Sequence, residues 1–244
     1  MTRKTIDFLI HEAGSLIYVA DKNFGGHPVS EFHEFFGGIK GLQTLTENGA
    51  VIAASLYQDD GYNVRIVFGD LTEQESAEWT SCIKWKLSLA SGQMVVSGVC
   101  DEDLEETMEE FPVAEDGGEY DLGTFVEVPP GNYAVTIYSY PPGDLAGGWM
   151  RLENKGFFRD TFGRDSEIPH EKPIDYFNRT RPGETPREWI KEGWEDADFL
   201  NFVIQLVPLT SEPPPLRFEE DGCAMWEYRK PAICPVGIEL ASPH

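Results

Sequence analysis

The sequence predicts an α+β fold that is predominantly antiparallel β, built from hairpins with a few short helices. Three pairs of apolar segments, each pair separated by turn-forming residues, are typical of β-hairpins. Helix-start patterns are few, and the segments that follow them are short. This order of elements differs from the regular alternation of strands and helices that indicates a parallel sheet.

The N-terminal part of the chain combines two short strands with a glycine-rich connection. Apolar segments bounded by turn residues predict strands at Ile6–His11 and Leu16–Ala20. Within the connection that follows, Ser30 is a suitable N-cap and Gly37 is a suitable stop signal. These two residues predict a short helix that ends at Phe36.

The first predicted hairpin has a strong turn signal. Val51–Tyr57 and Tyr62–Phe68 flank Asp59-Asp60-Gly61, and Asp-Gly between two apolar segments favours a tight reversal of the chain. A capping box follows, in which the Thr72 hydroxyl and the Glu75 carboxylate can each satisfy a free backbone N–H. The capping box predicts a short helix at this point.

The second predicted hairpin is marked by period-two alternation. Apolar residues occupy alternate positions from Ile83 to Leu89, which predicts a strand with one buried face and one exposed face. Ala90-Ser91-Gly92 then turns the chain into Met94–Val99, the expected antiparallel partner. The next segment, Asp101–Glu110, is predicted to be a short acidic helix.

The third predicted hairpin joins Phe125–Val128 to Tyr133–Tyr140. Between them Pro130 presets its own φ, and Gly131 can supply the positive φ of a type II turn. Nearer the C-terminus, Thr185-Pro186-Arg187-Glu188 combines a capping box with a proline at the first helical position and predicts a helix start. A buried strand is predicted at Phe199–Val207, and one or two further strands are expected between residues 216 and 240.

The domain organisation is open at this level. A series of hairpin, Trp-containing capped helix and strand begins near Val51 and again near Phe125, which suggests two similar lobes. On this interpretation residues 1–116 form an N-terminal β-rich lobe and residues 117–244 form a C-terminal α+β lobe. A single domain over residues 1–244 is the alternative, since one β domain of this length is common.

The charge of the chain restricts its partners. Its 43 acidic and 19 basic side chains give a formal net charge of −24. Such a field repels nucleic acid and anionic membrane surfaces, so neither direct nucleic-acid binding nor membrane binding is expected. A basic protein is electrostatically the easier partner, and a small ligand also remains possible.

The location expected for the chain is cytoplasmic. Asp7, His11 and Glu12 interrupt the apolar segment near the N-terminus, which argues against a signal peptide. No apolar run approaches the ~18 residues of a membrane-spanning helix. The four cysteines have no CxxC spacing and are too few for a disulfide scaffold of this size, so reduced thiols are expected.

The acidic segment from Asp101 to Asp121 is the first candidate for a functional surface. It contains eleven carboxylates and no Lys or Arg. A solvated helix and linker is the commoner meaning of a charge run, and a docking surface for a basic partner is the functional alternative. The residues predicted for that interaction surface are Asp101, Glu102, Asp103, Glu105, Glu106, Glu109 and Glu110.

The second candidate is the segment from residue 141 to residue 184, which is rich in Pro, Gly and mixed charge. It holds seven basic residues interleaved with aromatic residues. It is interpreted either as a ligand-binding lid or partner-binding loop, or as a loop that pairs with the acidic face of the protein itself. The residues predicted for a ligand or lid loop are Trp149, Arg151, Phe157, Phe158, Arg159 and Tyr176. Trp149 and Trp226 lie in irregular surroundings, where a ring serves either as a recognition anchor or as a contact that pins a loop to the core.

Recognisable metal-binding, nucleophile and phosphate-binding motifs are missing from the sequence. His27, His33 and Glu34 have no recognised metal-ligand spacing, and the nucleophile and phosphate-loop motifs do not occur. No catalytic residue, metal or cofactor is therefore predicted.

Three functions are compatible with the sequence. The first is a non-enzymatic protein-interaction module, of inhibitor or immunity type, that engages a basic partner. The second is a small-ligand-binding domain with a pocket near the segment 125–140. The third is a hydrolase that the motifs do not reveal, so whether the chain is an enzyme stays open.

Overall fold

The computed structural model of the chain describes residues 2–11, 15–26, 39–57, 61–98, 108–149, 171–193, 195 and 197–240. The predicted α+β class and its mainly antiparallel pairing are confirmed, with eleven strands and four short α-helices in the described residues. The strands are β1 Lys4–His11, β2 Leu16–Asp21, β3 Val51–Ser55, β4 Gly61–Phe68, β5 Ser81–Leu89, β6 Gln93–Ser97, β7 Gly118–Asp121, β8 Gly123–Glu127, β9 Gly131–Ser139, β10 Phe202–Pro208 and β11 Glu227–Tyr228. The helices are α1 Ile39–Glu47, α2 Glu73–Glu78, α3 Pro173–Thr180 and α4 Glu188–Glu192.

The strands form two sheets with a shared core. The larger sheet has the order β11-β5-β9-β10-β4-β1-β7, and the smaller sheet has the order β3-β2-β6-β8. The pairs β1–β7 and β4–β10 are parallel, and the other pairs are antiparallel. Ile17 and Ile52 of the smaller sheet belong to one buried cluster with Val64, Ile83 and Ile204 of the larger sheet. The two sheets therefore pack as layers around a common apolar interior.

The alternation predicted for β5 is confirmed. Its apolar positions from Ile83 to Leu89 are buried, whereas Lys84 between them is exposed. On the other side of the smaller sheet, Leu42 and Leu45 of α1 pack against Val51. The smaller sheet is therefore covered on both faces, which explains why β2 is buried along its whole length.

The three predicted hairpins have the correct strands but the wrong pairing. The two strands of each predicted hairpin lie in different sheets. β3, β6 and β8 belong to the smaller sheet, whereas their predicted partners β4, β5 and β9 belong to the larger one. Each predicted hairpin is thus a corner at which the chain crosses between the two layers. Stacked sheets lie about 10 Å apart, and connections of three to five residues reach that far. A turn signal reverses the chain but does not determine which sheet the returning strand joins.

The glycines at two of these corners differ in their backbone φ angle. Gly92, between β5 and β6, has a φ of 78°, which other residues rarely adopt. Gly131 is the first residue of β9 and does not take the positive φ that a type II turn requires. The type II turn predicted for the third hairpin is therefore wrong.

The two predicted capping boxes have different outcomes. The one at α2 is confirmed, because the Glu75 N–H donates to Thr72 Oγ1 at 3.1 Å and the Thr72 N–H donates to Glu75 Oε2 at 2.7 Å. The one at Thr185 is wrong, because the N-cap position of α4 is Arg187, whose side chain makes no capping hydrogen bond, and the helix starts two residues later than that box implies. Burial of Trp189 against the body of the protein fixes the first turn of α4 instead.

The remaining element predictions fall into two groups. Strands at Ile6–His11, Leu16–Ala20 and Phe199–Val207 are confirmed as β1, β2 and β10, although β10 begins at Phe202. The predicted helix at Ser30–Phe36 and most of the predicted helix at Asp101–Glu110 lie outside the described residues.

Both sheets contain strands from either side of residue 116. β5 pairs with β9 along its whole length in the larger sheet, and β6 pairs with β8 in the smaller one. The division into two lobes at residue 116 and the single-domain alternative both stay predictions. No helix in the described part of the chain has the length and apolar character needed to cross a membrane.

Candidate interaction surface

Residues 108–121 form an acidic surface that we call the acidic edge. The segment ends in β7, the outermost strand of the larger sheet, which pairs with β1. It contains no Lys or Arg, and its exposed carboxylates are Glu109, Glu110, Glu115, Asp116, Glu119 and Asp121. Of the predicted interaction residues, Glu109 and Glu110 therefore lie on the acidic edge, whereas Asp101, Glu102, Asp103, Glu105 and Glu106 lie outside the described residues.

The inner side of the acidic edge is anchored by Tyr120. Its ring packs edge-on against Phe8 with centroids 5.9 Å apart, and its hydroxyl accepts the Glu115 N–H at 2.6 Å. A Cβ on Gly118 would clash with that hydroxyl, so a side chain at Gly118 would displace the ring. Because successive side chains of a strand point to opposite faces, Glu119 and Asp121 project away from the face on which Tyr120 packs.

Little positive charge compensates the acidic edge. Within the described residues, the side chain of His11 contacts these carboxylates, through Nε2 at 2.9 Å from Glu119 Oε1, and it is positively charged only when the ring is protonated. Both of those side chains are well exposed, and exposed pairs contribute about 0–1 kcal/mol. Arg65 pairs instead with Asp7 and Glu75, on the body of the larger sheet. Lys22 lies near the start of the acidic edge, with its Nζ 4.6 Å from the centroid of the Phe125 ring, which packs against Phe111. The acidic edge is therefore a surface of predominantly negative charge.

The described residues of the predicted lid loop lie in the protein interior. Trp149 is 6% exposed and Tyr176 is 1% exposed, and their rings stack with centroids 6.2 Å apart. They belong to a buried cluster with Phe177, Trp189 and Phe199. Arg151, Phe157, Phe158 and Arg159 lie outside the described residues. Trp149 thus pins its loop to the core, and a ligand-binding role for the segment stays a prediction.

Sequence patterns did not single out Glu78, which is buried, or Asp144, which is half-buried. Asp144 accepts hydrogen bonds from Ser139 Oγ at 2.7 Å, from Thr80 Oγ1 at 3.0 Å and from the Trp149 N–H at 2.5 Å. Glu78 Oε2 accepts the N–H groups of Val236 and Gly237 at 3.0 and 2.9 Å. Each acid holds a loop to the strands or helix beside it, and no local pattern distinguishes such a position from an exposed one.

Three of the four cysteines are buried free thiols: Cys82, Cys223 and Cys234. Burial raises the pKa of Cys82 to about 11 and the pKa values of Cys223 and Cys234 to about 12. Protonated, inaccessible thiols are poor nucleophiles and poor metal ligands. The described residues also contain no group of three His, Cys, Asp or Glu arranged to hold a metal ion, and His27, His33 and Glu34 lie outside them.

We expect the three buried thiols to resist modification in the native protein. A Cys100→Ser variant removes the remaining cysteine, so that the signal comes from these three alone. At pH 8 Ellman's reagent should react slowly with the folded variant and rapidly after denaturation, because the thiolate forms only once burial is lost. Fast titration of even one thiol under native conditions would contradict the described packing.

Two clefts open on the surface of the described residues. One of about 440 Å³ is lined by the end of β3, by residues 219–221 and by Trp226 and Tyr228. Another of about 400 Å³ is lined by α2, Arg181 and Val236. Neither cleft borders the segment 125–140, where the small-ligand alternative places its pocket, and that alternative stays a prediction.

Comparisons with known proteins reveal distant structural likenesses. No protein-family model matches the chain, and no curated protein matches its sequence. The chain is similar to a solved structure described as crocagin biosynthetic gene J, with a TM-score of 0.43 and 11% identity over 85% of this chain and 99% of that one. It is also similar to ComJ from Bacillus subtilis, an inhibitor of the DNA-degrading activity of NucA, with a TM-score of 0.35 and 8% identity over 84% of this chain and 96% of that one.

Proposed function

We propose that the chain is a non-enzymatic protein-interaction module, of inhibitor or immunity type, whose acidic edge engages a basic protein. The observation that carries this proposal is the exposure of six carboxylates between Glu109 and Asp121, with no Lys or Arg in the same segment. The net charge of −24 adds a long-range field that accelerates encounters with a cationic partner and repels anionic ones.

The position of the acidic edge in the fold supports the same function. A strand at the border of a sheet offers backbone N–H and C=O groups to an extended segment of another protein. Charged side chains on such a strand also prevent uncontrolled edge-to-edge association. The carboxylates of Glu119 and Asp121 would therefore admit a basic segment and reject an apolar or acidic one.

The partner can be found by capture from a native lysate on the purified protein. We expect a basic protein to be retained in stoichiometric amount at low salt and to be lost as the salt concentration rises, because the attraction between exposed charges is screened. Retention of no protein at low salt, or retention that is insensitive to salt, would contradict the proposal.

Neutralisation of the acidic edge then tests the surface itself. The test variant changes Glu109, Glu110, Glu115 and Asp121 to their amides. The other two carboxylates, Asp116 and Glu119, are left unchanged because they contact Asp7 and His11 within the fold. At about 0.3–0.5 kcal/mol for each exposed charge, we expect the affinity for the captured partner to fall about tenfold and its salt dependence to weaken.

A matched control separates the acidic edge from the overall charge. Amide substitutions at Glu47, Asp70, Glu192 and Glu227 remove the same number of exposed carboxylates elsewhere on the surface. We expect this variant to bind the partner within about twofold of the wild type, since it alters only the distant field. Equal losses in both variants, or an unchanged affinity of the test variant, would show that the acidic edge is not the binding surface.

A further inference from the structure

The 440 Å³ cleft has a composition that points to a particular kind of ligand. It lies where the end of β3, at the border of the smaller sheet, meets β11, at the border of the larger sheet. Among the residues that the structure describes, its lining contains no Lys or Arg. The aromatic and acidic residues that line it are Tyr57, Trp226, Tyr228, Glu219, Glu220 and Asp221.

The aromatic wall of the cleft is held in place by the core. Trp226 is 3% exposed, stacks on Phe202 with centroids 6.3 Å apart, and donates its indole N–H to the Ser55 carbonyl at 2.9 Å. Tyr57 is 50% exposed at the mouth of the cleft, and its backbone N–H is hydrogen-bonded to the Leu145 carbonyl. The cleft therefore combines a preformed ring in its wall with an accessible ring at its mouth.

The acidic side of the cleft is a rigid turn. The Gly222 N–H donates to the Glu219 carbonyl at 3.1 Å, and Gly222 has a φ of 90°. Asp221 Oδ1 accepts the Cys223 N–H at 2.8 Å, and Oδ2 accepts the Ser55 hydroxyl at 2.5 Å. Three successive carboxylates are thus carried on a backbone whose geometry is fixed before any ligand arrives, which lowers the entropic cost of binding.

We propose that this cleft binds a guanidinium group. A guanidinium is planar, is more weakly hydrated than an ammonium, stacks on aromatic rings and forms paired hydrogen bonds with carboxylates. The half-exposed ring of Tyr57 offers a face for stacking, and the carboxylates of Glu219, Glu220 and Asp221 lie beside the same cleft. The volume of about 440 Å³ accommodates the group together with an alkyl stem.

This inference is independent of the proposed function. β11 and β7 are the two opposite borders of the larger sheet, so the cleft and the acidic edge lie on different sides of the molecule. The guanidinium group could come from an arginine side chain of a protein or from a free small molecule. Failure of either proposal would therefore leave the other standing.

The test is an NMR titration of the full chain with three compounds. Ethylguanidinium represents the free small molecule, the capped tripeptide acetyl-Gly-Arg-Gly-amide represents an arginine in a protein, and n-butylammonium is the comparison cation. We expect ethylguanidinium or the tripeptide to shift the indole N–H resonance of Trp226 and the amides of residues 219–221 in a saturable manner. The tighter of the two identifies the source, and n-butylammonium should bind several-fold more weakly because it cannot stack or form paired hydrogen bonds.

Variants localise the effect to the cleft. Changing Glu219, Glu220 and Asp221 to their amides keeps side-chain size, and we expect about a tenfold or greater loss of affinity when these charge-assisted contacts are removed. Glu127→Gln removes one exposed carboxylate on β8 and should leave the affinity within about twofold. Absence of saturable shifts at Trp226, equal binding of n-butylammonium, or unchanged affinity in the triple variant would each overturn the inference.

Discussion

Replacing Trp226 with alanine should destabilise the protein by about 3–5 kcal/mol, the usual cost of deleting a buried Trp side chain. Trp226 belongs to the main cluster between the two sheets and stacks on Phe202 of β10. Its indole N–H also satisfies the Ser55 carbonyl of β3. The substitution therefore leaves a cavity in the common core and an unsatisfied acceptor at the border of the smaller sheet, and both effects lower the free energy of unfolding.

Urea denaturation followed by circular dichroism measures this loss. Tyr57→Ala is a suitable control, because Tyr57 lines the same cleft but is half exposed and keeps its backbone hydrogen bond to Leu145. We expect it to cost less than about 1 kcal/mol, as surface substitutions usually do. Trp226→Phe, which keeps most of the buried ring, should lie between the two. A loss below about 1 kcal/mol for Trp226→Ala would mean that the ring is not part of the core.

The strands were predictable because their periodicity is local, whereas their partners were not. The alternation from Ile83 to Leu89 reports which face of β5 is buried, and this is independent of the neighbouring strand. Gly92 reverses the chain equally well into the same sheet or into the facing one. The choice depends on contacts distant in sequence, such as the pairing of Trp85 with Val135. A sequence read in short segments contains no signal for that pairing.

The candidate surfaces were predictable to different degrees. The acidic edge could be found because its charge is continuous along the sequence, from Glu109 to Asp121. The cleft could not, since it joins Tyr57 to residues 219–221 and to Trp226, more than 160 positions further along the chain. Trp226 was recognised only as an aromatic residue in irregular surroundings. Its position in the wall of a cleft follows from the contact between β3 and the C-terminal segment.

Replacing Asp144 with alanine is the second substitution with a large expected effect. The variant would leave the Ser139 hydroxyl, the Thr80 hydroxyl and the Trp149 N–H without their common acceptor. The Ser139 hydroxyl keeps the Ser81 hydroxyl as a partner, so two donors lose their acceptor outright. At about 1–3 kcal/mol for each unsatisfied buried donor, less what water can recover, we expect a loss of about 2–3 kcal/mol. Asp121→Ala, which removes an exposed aspartate of the acidic edge, should change the free energy of unfolding by less than about 0.5 kcal/mol.

The pH dependence of the Asp144→Asn variant shows which charge state the fold prefers at this position. Burial raises the pKa of Asp144, while the hydrogen bonds from Ser139 and the Trp149 N–H oppose the rise. A raised pKa means that the stabilising contribution of Asp144 is fully present below the ordinary value of about 3.9 and declines as the pH rises through the pKa of the folded state. The side-chain amide of the variant does not titrate, so the wild type should lose stability relative to Asp144→Asn as the pH increases above that value.

Urea denaturation of both proteins at a series of pH values measures this difference, and the other carboxylates cancel because both proteins contain them. If the free energy of unfolding of the wild type instead rises relative to Asp144→Asn over the same range, the donors around Asp144 stabilise its ionised form by more than burial disfavours it. The sign of the trend therefore decides between two descriptions of the loop from Asp144 to Trp149. In one, a neutral acid fills a buried polar site; in the other, the loop is folded around a fixed negative charge.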